Sequence, residues 1–274
     1  MLKERKKLMS IKDFSELTGI EQSTLRYWDS IGLFRPALRH EENNYRLYTT
    51  EQIVTVNYVT SLSDLRLPLK TIDQARESRD PLKIISLLEQ KEFELDRELS
   101  GLQRTHSAIH ILRGMIQQGM HAQPGTVSVQ HFDPMAVALG PPNQFDGDEL
   151  FYRPFMEYCR QAKRSRVSLV NPIGGFHDDL ACYIEKPSQP QRFFSVDPEG
   201  CDCRPAGDYL VGYVQGYYGE MGDMPQQLSA YARENGLRCE GPVYVLYLLD
   251  EICVSEPTEY LAQISVRIMA EGAA

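Results

Sequence analysis

A heptad of apolar residues sets the first limit on what this chain can fold into. Leu88, Leu95, Leu102, Ile109 and Ile116 are each seven apart, with Ile85, Leu99 and Leu112 in the adjoining seam. A seven-residue repeat keeps one narrow stripe along a helix of about 3.6 residues per turn, and a second helix is the natural partner of such a stripe. The spacing predicts a long coiled-coil helix over 81–120, with the five heptad residues as its dimerisation seam. At 1.5 Å per residue, about 36 residues would reach roughly 54 Å. Thr105 and His106 interrupt the pattern beside the seam and read as register-setting polar residues rather than metal ligands.

The stretch before the heptads carries a different period. Ile11, Phe14 and Leu17 make a helical stripe, with Ser10 as its N-cap and Asp13 in its first turn. Thr18-Gly19 breaks that helix, and Leu25, Trp28 and Ile31 or Leu33 continue on a second one, giving a helix-turn-helix. Pro36 disfavours helical geometry at Arg35, and ALRHEENNYRLY then alternates around Asn43-Asn44 as a two-stranded wing. Ser23, Thr24, Arg26, Tyr27 and Trp28 are the candidates for entering a DNA groove. Arg35, Arg39 and Arg46, with Tyr45 and Tyr48, supply guanidinium forks and phenolic donors suited to phosphates. Trp28 reads equally as an aromatic packed between helices. Two more helices follow, one with Ile53, Val56, Val59 or Tyr58, Leu62 and Leu65 inward, the other starting at Pro68 with Leu69, Ile72 and Ala75.

Three blocks, T-L-R-Y-W-D-S-I-G-L-F-R-P at 24–36, N-Y-R-L-Y-T at 44–49 and D-L-R-L-P-L-K-T-I at 64–72, resemble the DNA-binding domain of MerR-family transcription regulators. Trp28 stands where that family usually has tyrosine, and Arg66 replaces its usual glycine. The resemblance implies a winged helix-turn-helix that binds double-stranded promoter DNA as a homodimer, with the long helices paired antiparallel. It also implies activation through distortion of the promoter spacer for the RNA polymerase holoenzyme. Charge is distributed accordingly: residues 1–80 carry 13 Lys/Arg against 12 Asp/Glu, whereas residues 121–274 carry 11 against 21.

After the linker HAQPG (121–125) the chain reads as α+β. Strands are expected at Val127–Phe132, Met135–Leu139, Val167–Val170, Leu180–Glu185, Tyr209–Tyr213, Val243–Leu249 and Tyr260–Met269, with helices at Asp148–Lys163 and Met224–Asn235. The order β-α-β-β recurs, over roughly 127–196 and 207–269. GDYLVGYVQG with the following helix and strands resembles GyrI-like small-molecule-binding domains, and the whole resembles the multidrug-responsive branch of the MerR family. The expected chain is thus multidomain: an N-terminal all-α winged helix-turn-helix (1–80), a long antiparallel coiled-coil helix (81–120) and a C-terminal α+β GyrI-like effector-binding domain (121–274).

An acidic, aromatic cavity favours a small lipophilic cation, through cation–π contact and a carboxylate counter-charge. The candidates are Phe151, Tyr152, Phe155, Tyr183, Tyr217, Tyr218, Tyr244, Tyr247 and Tyr260. By resemblance Tyr260 is the foremost, whereas Val245 occupies the place of that branch's glutamate. Alternation along 245, 247, 249 and 251 puts Glu251 on the face of Tyr247 and Asp250 opposite, and either could supply the charge.

Other classes are narrowed by what the sequence holds. All six cysteines follow residue 158, so the metal-sensing chemistry of the family lacks its thiolates, and neither a metal nor a cofactor is expected. The basic N-terminus runs into an amphipathic segment, and no long uncharged apolar run follows, so a cytoplasmic protein without a membrane partner is expected. The cross-class alternative is a GyrI-like small-molecule hydrolase fused to a DNA-binding head, with Glu185 or Glu251 as base. No nucleophile–base pair at telling spacing supports it, so a non-enzyme is expected.

Overall fold

The computed structural model describes residues 8–78, 80–145, 152–164 and 172–269. The chain divides into two compact units, Met1–Leu99 and Ser100–Ala274.

The first unit begins with strand β1 (Leu8–Ser10) and helix α1 (Ile11–Thr18). Ser10 closes a capping box: the Asp13 N–H donates to its Oγ at 3.2 Å, while its own N–H and hydroxyl donate to the Asp13 carboxylate. Gly19 ends α1 in the left-handed region at φ 72°, which its missing Cβ permits. Helix α2 (Gln22–Ser30), strands β2 (Leu38–Arg39) and β3 (Arg46–Thr49), and helices α3 (Gln52–Asp64) and α4 (Leu69–Ser78) follow. The wing forms as expected, Leu38 opposite Leu47 and Arg39 opposite Arg46, with Asn44 left-handed at φ 56°. The addition of β1 beside β3 makes it a three-stranded sheet.

Its core is an aromatic stack. The ring centroid of Phe14 lies 4.6 Å from that of Tyr48 and 6.0 Å from that of Phe34, and Leu25, Trp28, Val56, Val59 and Ile72 close around them. Trp28 and Tyr48 are therefore core residues, which corrects their expected place on the DNA side. Leu17 and Leu65, expected inward, are exposed, because α1 turns only Phe14 fully into the core and α3 ends at Asp64. Arg66, in place of the family's glycine, adopts φ 56°, the conformation for which glycine is suited.

Helix α5 runs from Pro81 to His121. In the first unit Ile84 and Leu87 pack on the aromatic core. In the second, Ala108 is buried, and Ile111 and Met115 pack on the sheet. The heptad residues Leu88, Leu95, Leu102 and Ile109 instead face solvent, Leu102 at 68 % exposure.

The second unit continues with β4 (Val127–Phe132), β5 (Met135–Pro142), α6 (Tyr152–Arg164), β6 (Ile173–His177), α7 (Leu180–Glu185), β7 (Arg192–Val196), β8 (Asp202–Arg204), β9 (Gly207–Gln215), α8 (Met224–Glu234), β10 (Cys239–Leu249) and β11 (Leu261–Ile268). They form one antiparallel sheet in the order β4-β9-β11-β10-β6-β7-β5-β8. Within it lie two βαββ units, β5-α6-β6-β7 and β9-α8-β10-β11, whose sheet orders mirror each other across the β6–β10 ladder. The expected repeat is present, except that β4 extends the second half's edge rather than opening the first half. Residues 180–185, expected as a strand, are instead helix α7, because Asp179 caps it by accepting the Cys182 N–H at 2.7 Å. The expected strand Val167–Val170 lies outside the described residues.

One sheet face carries Val243, Val245 and Ile264 beneath α7 and α8; the other carries Tyr244, Leu246, Tyr209 and Val211, partly covered by α5. These burial patterns make opposite predictions for neighbours on one helix. Phe14→Ala should lower the unfolding free energy by about 3–5 kcal/mol, whereas Leu17→Ala should change it by less than about 0.5 kcal/mol, both read by urea denaturation.

Candidate DNA interface and effector cavity

In the first unit, α2 exposes Ser23, Arg26 and Tyr27, with Thr24 half-buried beside them. The Ser23 hydroxyl donates to Glu21 at 3.0 Å, and Arg26 donates to Gln22 at 3.1 Å, one helical turn earlier. From the wing, Arg35, Arg39 and Tyr45 are exposed and Arg46 is partly so. A single carboxylate joins the two elements. Asp29, whose side chain is only 5 % exposed, accepts from both Arg39 and Arg46, the latter at 2.6 Å. Each guanidinium has five N–H donors, so this anchoring leaves donors on both for an outside phosphate.

Gln52 is a second organiser that the sequence reading missed. Its Oε1 accepts from the Ala37 and Thr49 N–H groups at 3.1 and 3.2 Å, and its Nε2 donates to the Arg35 carbonyl at 2.7 Å. One amide thus ties both roots of the wing to the start of α3. A glutamine at the N-terminus of a helix directly after a strand was the available signal.

In the second unit a cavity of about 450 Å³ opens beside the β6–β10 ladder. Its floor is Gly174, Gly175, Val245 and Tyr247. A Cβ on Gly174 would sit 2.5 Å from the Phe194 ring in its own half and 2.6 Å from the Val245 carbonyl oxygen across the ladder, so this close approach requires glycine. Phe155 and Tyr152 approach from α6, and Tyr217 and Tyr218 from the loop after β9. The tyrosines hold one another. Tyr152 donates its hydroxyl to that of Tyr217 at 3.0 Å, and Tyr247 accepts the Gly219 N–H at 2.8 Å. The Tyr218 ring lies edge-on to that of Tyr247, with centroids 4.6 Å apart, and its hydroxyl donates to the Glu251 carboxylate. Burial, then that carboxylate, pushes the Tyr218 pKa well above its ordinary value, so the phenol stays a neutral donor.

Asp250 and Glu251 both line this cavity. The alternation that assigned them to opposite faces fails, because a register shift between Tyr247 and Leu249 interrupts β10 and both residues follow its end. Burial raises the Asp250 pKa, and neighbouring Glu251 raises it further. His177, unnoticed in the sequence, also lines the cavity; burial lowers its pKa to about 4, so it is neutral at pH 7. Among the described residues the lining thus includes two carboxylates and neither lysine nor arginine.

The other expected effector residues separate. Tyr183 is fully buried on α7 against the edge of His177, away from the lining. Tyr244 points to the opposite sheet face, as a residue an odd number of steps from Tyr247 must. Tyr260 stands behind the lining, its ring centroid 5.3 Å from that of Tyr218. Phe151 lies outside the described residues. Glu185, a base in the hydrolase alternative, is exposed and off the cavity lining.

A helix-turn-helix with an arginine-bearing wing, on a chain that also encloses an aromatic cavity, has the form of a DNA-binding transcription regulator. Residues 9–78 match the family described as MerR HTH family regulatory protein, so the first unit carries a DNA-binding domain of that kind. Over 274 residues it is 24 % identical to the multidrug-efflux transporter 2 regulator of Bacillus subtilis, covering 98 % of this chain and 99 % of that one. It is also 33 % identical over 100 residues to the transcriptional regulator BrlR of Pseudomonas aeruginosa, covering 35 % of this chain and 37 % of that one. Among solved structures, EcmrR in complex with DNA aligns over 95 % of this chain and 99 % of that one, at 17 % identity and a TM-score of 0.40.

The wing geometry separates two arginines. Arg26→Ala removes a surface side chain and should weaken promoter binding at fixed salt with an unchanged melting temperature. Arg46→Ala should also lower stability, by about 1 kcal/mol, because Asp29 loses one of its two partners; melting curves and fluorescence-anisotropy titrations measure both effects.

Proposed function

We propose that this regulator is a homodimer that activates transcription when a lipophilic cation occupies the cavity of its C-terminal unit. The observation that carries the ligand class is the lining: tyrosine rings, two carboxylates, a neutral histidine and, among the described residues, no lysine or arginine. Aromatic faces attract a cation, and the carboxylates offset the loss of its hydration. A cavity of about 450 Å³ suits a drug-sized molecule. Asp250 and Glu251 serve as counter-charges, Tyr152, Tyr217, Tyr218 and Tyr247 as aromatic walls, and Tyr260 as the support behind them.

Pairing is supported by the exposed apolar seam of α5, since burying each leucine is worth about 1.5–3 kcal/mol. In this reading Leu88, Leu95, Leu102, Ile109 and Ile116 pair antiparallel with a second copy and hold two DNA-reading heads for the halves of a palindrome. Ser23, Thr24, Arg26 and Tyr27 enter the major groove, and Arg35, Arg39, Tyr45 and Arg46 hold the phosphates. Distorting the promoter spacer for RNA polymerase costs several kcal/mol. The ligand promotes it only by binding the distorting conformation more tightly than the relaxed one.

Leu102→Asp should convert the dimer to a monomer at micromolar concentration in sedimentation velocity; a persisting dimer would refute the seam. Tetraphenylphosphonium, titrated calorimetrically into Glu251→Gln, should bind about tenfold more weakly than to the native protein, or about 1.4 kcal/mol. Because burial raises the Asp250 pKa, acidification neutralises it sooner than an exposed aspartate. Cation affinity should accordingly fall on acidification, starting at a higher pH than in Asp250→Asn, and an identical pH profile in the two proteins would exclude Asp250 as a counter-charge.

A further inference from the structure

The opposite face of the sheet carries a second cavity, of about 470 Å³, at the other end of β10. Irregular pairing builds its mouth. Between Cys239 and Val243 the register with β11 shifts, because four steps on β10 meet two on β11, and Gly241 takes φ 80°. Tyr209 and Tyr244 contribute aromatic surface, with Pro205, Pro242 and Ile268 around them, and Arg267 and Glu240 are its charged lining residues.

Three features distinguish this cavity from a packing gap. The Tyr244 side chain, on a residue only 5 % exposed, lines the cavity, and its hydroxyl has no hydrogen-bond partner among the described residues. Arg267 lies directly across the ladder from Tyr209, and its guanidinium reaches over Gly207, where a Cβ would stand 3.2 Å from Nε. Behind Tyr209 lies Arg204, 8 % exposed, its guanidinium 5.4 Å from the Tyr209 ring centroid and 4.3 Å from that of Phe132. The Nε of Arg204 is buried without a partner, and no carboxylate pairs with Arg204 or Arg267 among the described residues. Burial lowers the Arg204 pKa from its ordinary value, the direction expected of an uncompensated buried cation.

We propose that this second cavity binds a small planar aromatic carboxylate, held by the Arg267 guanidinium and the Tyr244 hydroxyl with its ring against Tyr209. Arg204 favours the same anion from behind Tyr209, through a medium too dry to screen it fully. Glu240 opposes it, and its exposure at the mouth limits the repulsion. The site differs from the tyrosine cavity in position, sheet face and sign of charge, so one chain would accept two ligands of opposite charge.

Calorimetric titration of the full chain with 2-naphthoate at low salt tests this assignment, with 2-naphthalenemethanol as a neutral isostere. The acid should bind at least tenfold more tightly than the alcohol. Arg267→Gln should weaken the acid at least tenfold, and Glu240→Gln should leave it unchanged or tighter. Arg267→Lys, which keeps the charge without the fork, should fall between the native protein and Arg267→Gln. Absence of binding at millimolar acid, equal affinity for acid and alcohol, or indifference to Arg267→Gln would each overturn it. Weaker binding in Glu240→Gln would do so as well, since it would make the carboxylate a contact rather than an opposing charge.

Discussion

The ladder between β6 and β10 is the join on which the C-terminal unit depends. It fuses two βαββ halves, each with one outer strand, into a continuous sheet in which neither half leaves its inner edge unpaired. Closing that join demands small residues: a Cβ on Gly174 would meet the Val245 carbonyl oxygen across it at 2.6 Å, and Gly175 stands directly opposite Val245 on the ladder. The cavity is thus what remains when two halves meet over glycine. Its walls come from connections at both ends of the ladder, so the position is set by the sheet and the chemistry by the loops.

In the N-terminal unit a comparable economy rests on polar groups. A capping box starts α1, Asp29 gathers two wing arginines against α2, and Gln52 satisfies backbone groups at both roots of the wing. The wing itself is short, with only two ladder pairs between β2 and β3, and such a hairpin is marginal alone. What makes it a rigid presenter of arginines is its attachment to two helices and to β1.

How much of this was legible depends on which residues carried the signal. The strand Val127–Phe132 and the helix from Met224 are found where their alternation and periodicity put them, and the capping residue Ser10 was plain. Leu180–Glu185 was misread because six residues hold too little period to separate strand from helix, although Asp179 stood ahead of it as a cap. The small strands β1 and β8 are three residues each, below any pattern. At the cavity, Tyr244 and Tyr247 could have been separated by counting, since an odd interval along a strand changes face. Glu251 and Asp250 could not, because the shift after Tyr247 is tertiary in origin. Trp28 and Tyr48 show the reverse problem: a polar handle on a large ring suggests the surface, but the ring's area drew both into the core.

The mirrored halves also reveal a divergence. Each has an acidic pair just beyond its inner strand: Asp178 and Asp179 after β6, Asp250 and Glu251 after β10. In the first half the second acid of the pair is consumed by folding, because its carboxylate starts α7 and so shapes one wall of the unit. The second half has at the matching place only a single 3-10 turn, Pro257–Glu259, which no side chain caps, and its acidic pair lines the cavity. One structural position has therefore been given two occupations, scaffold in one half and chemistry in the other, and the asymmetry of an internally repeated fold is what leaves charge available for recognition.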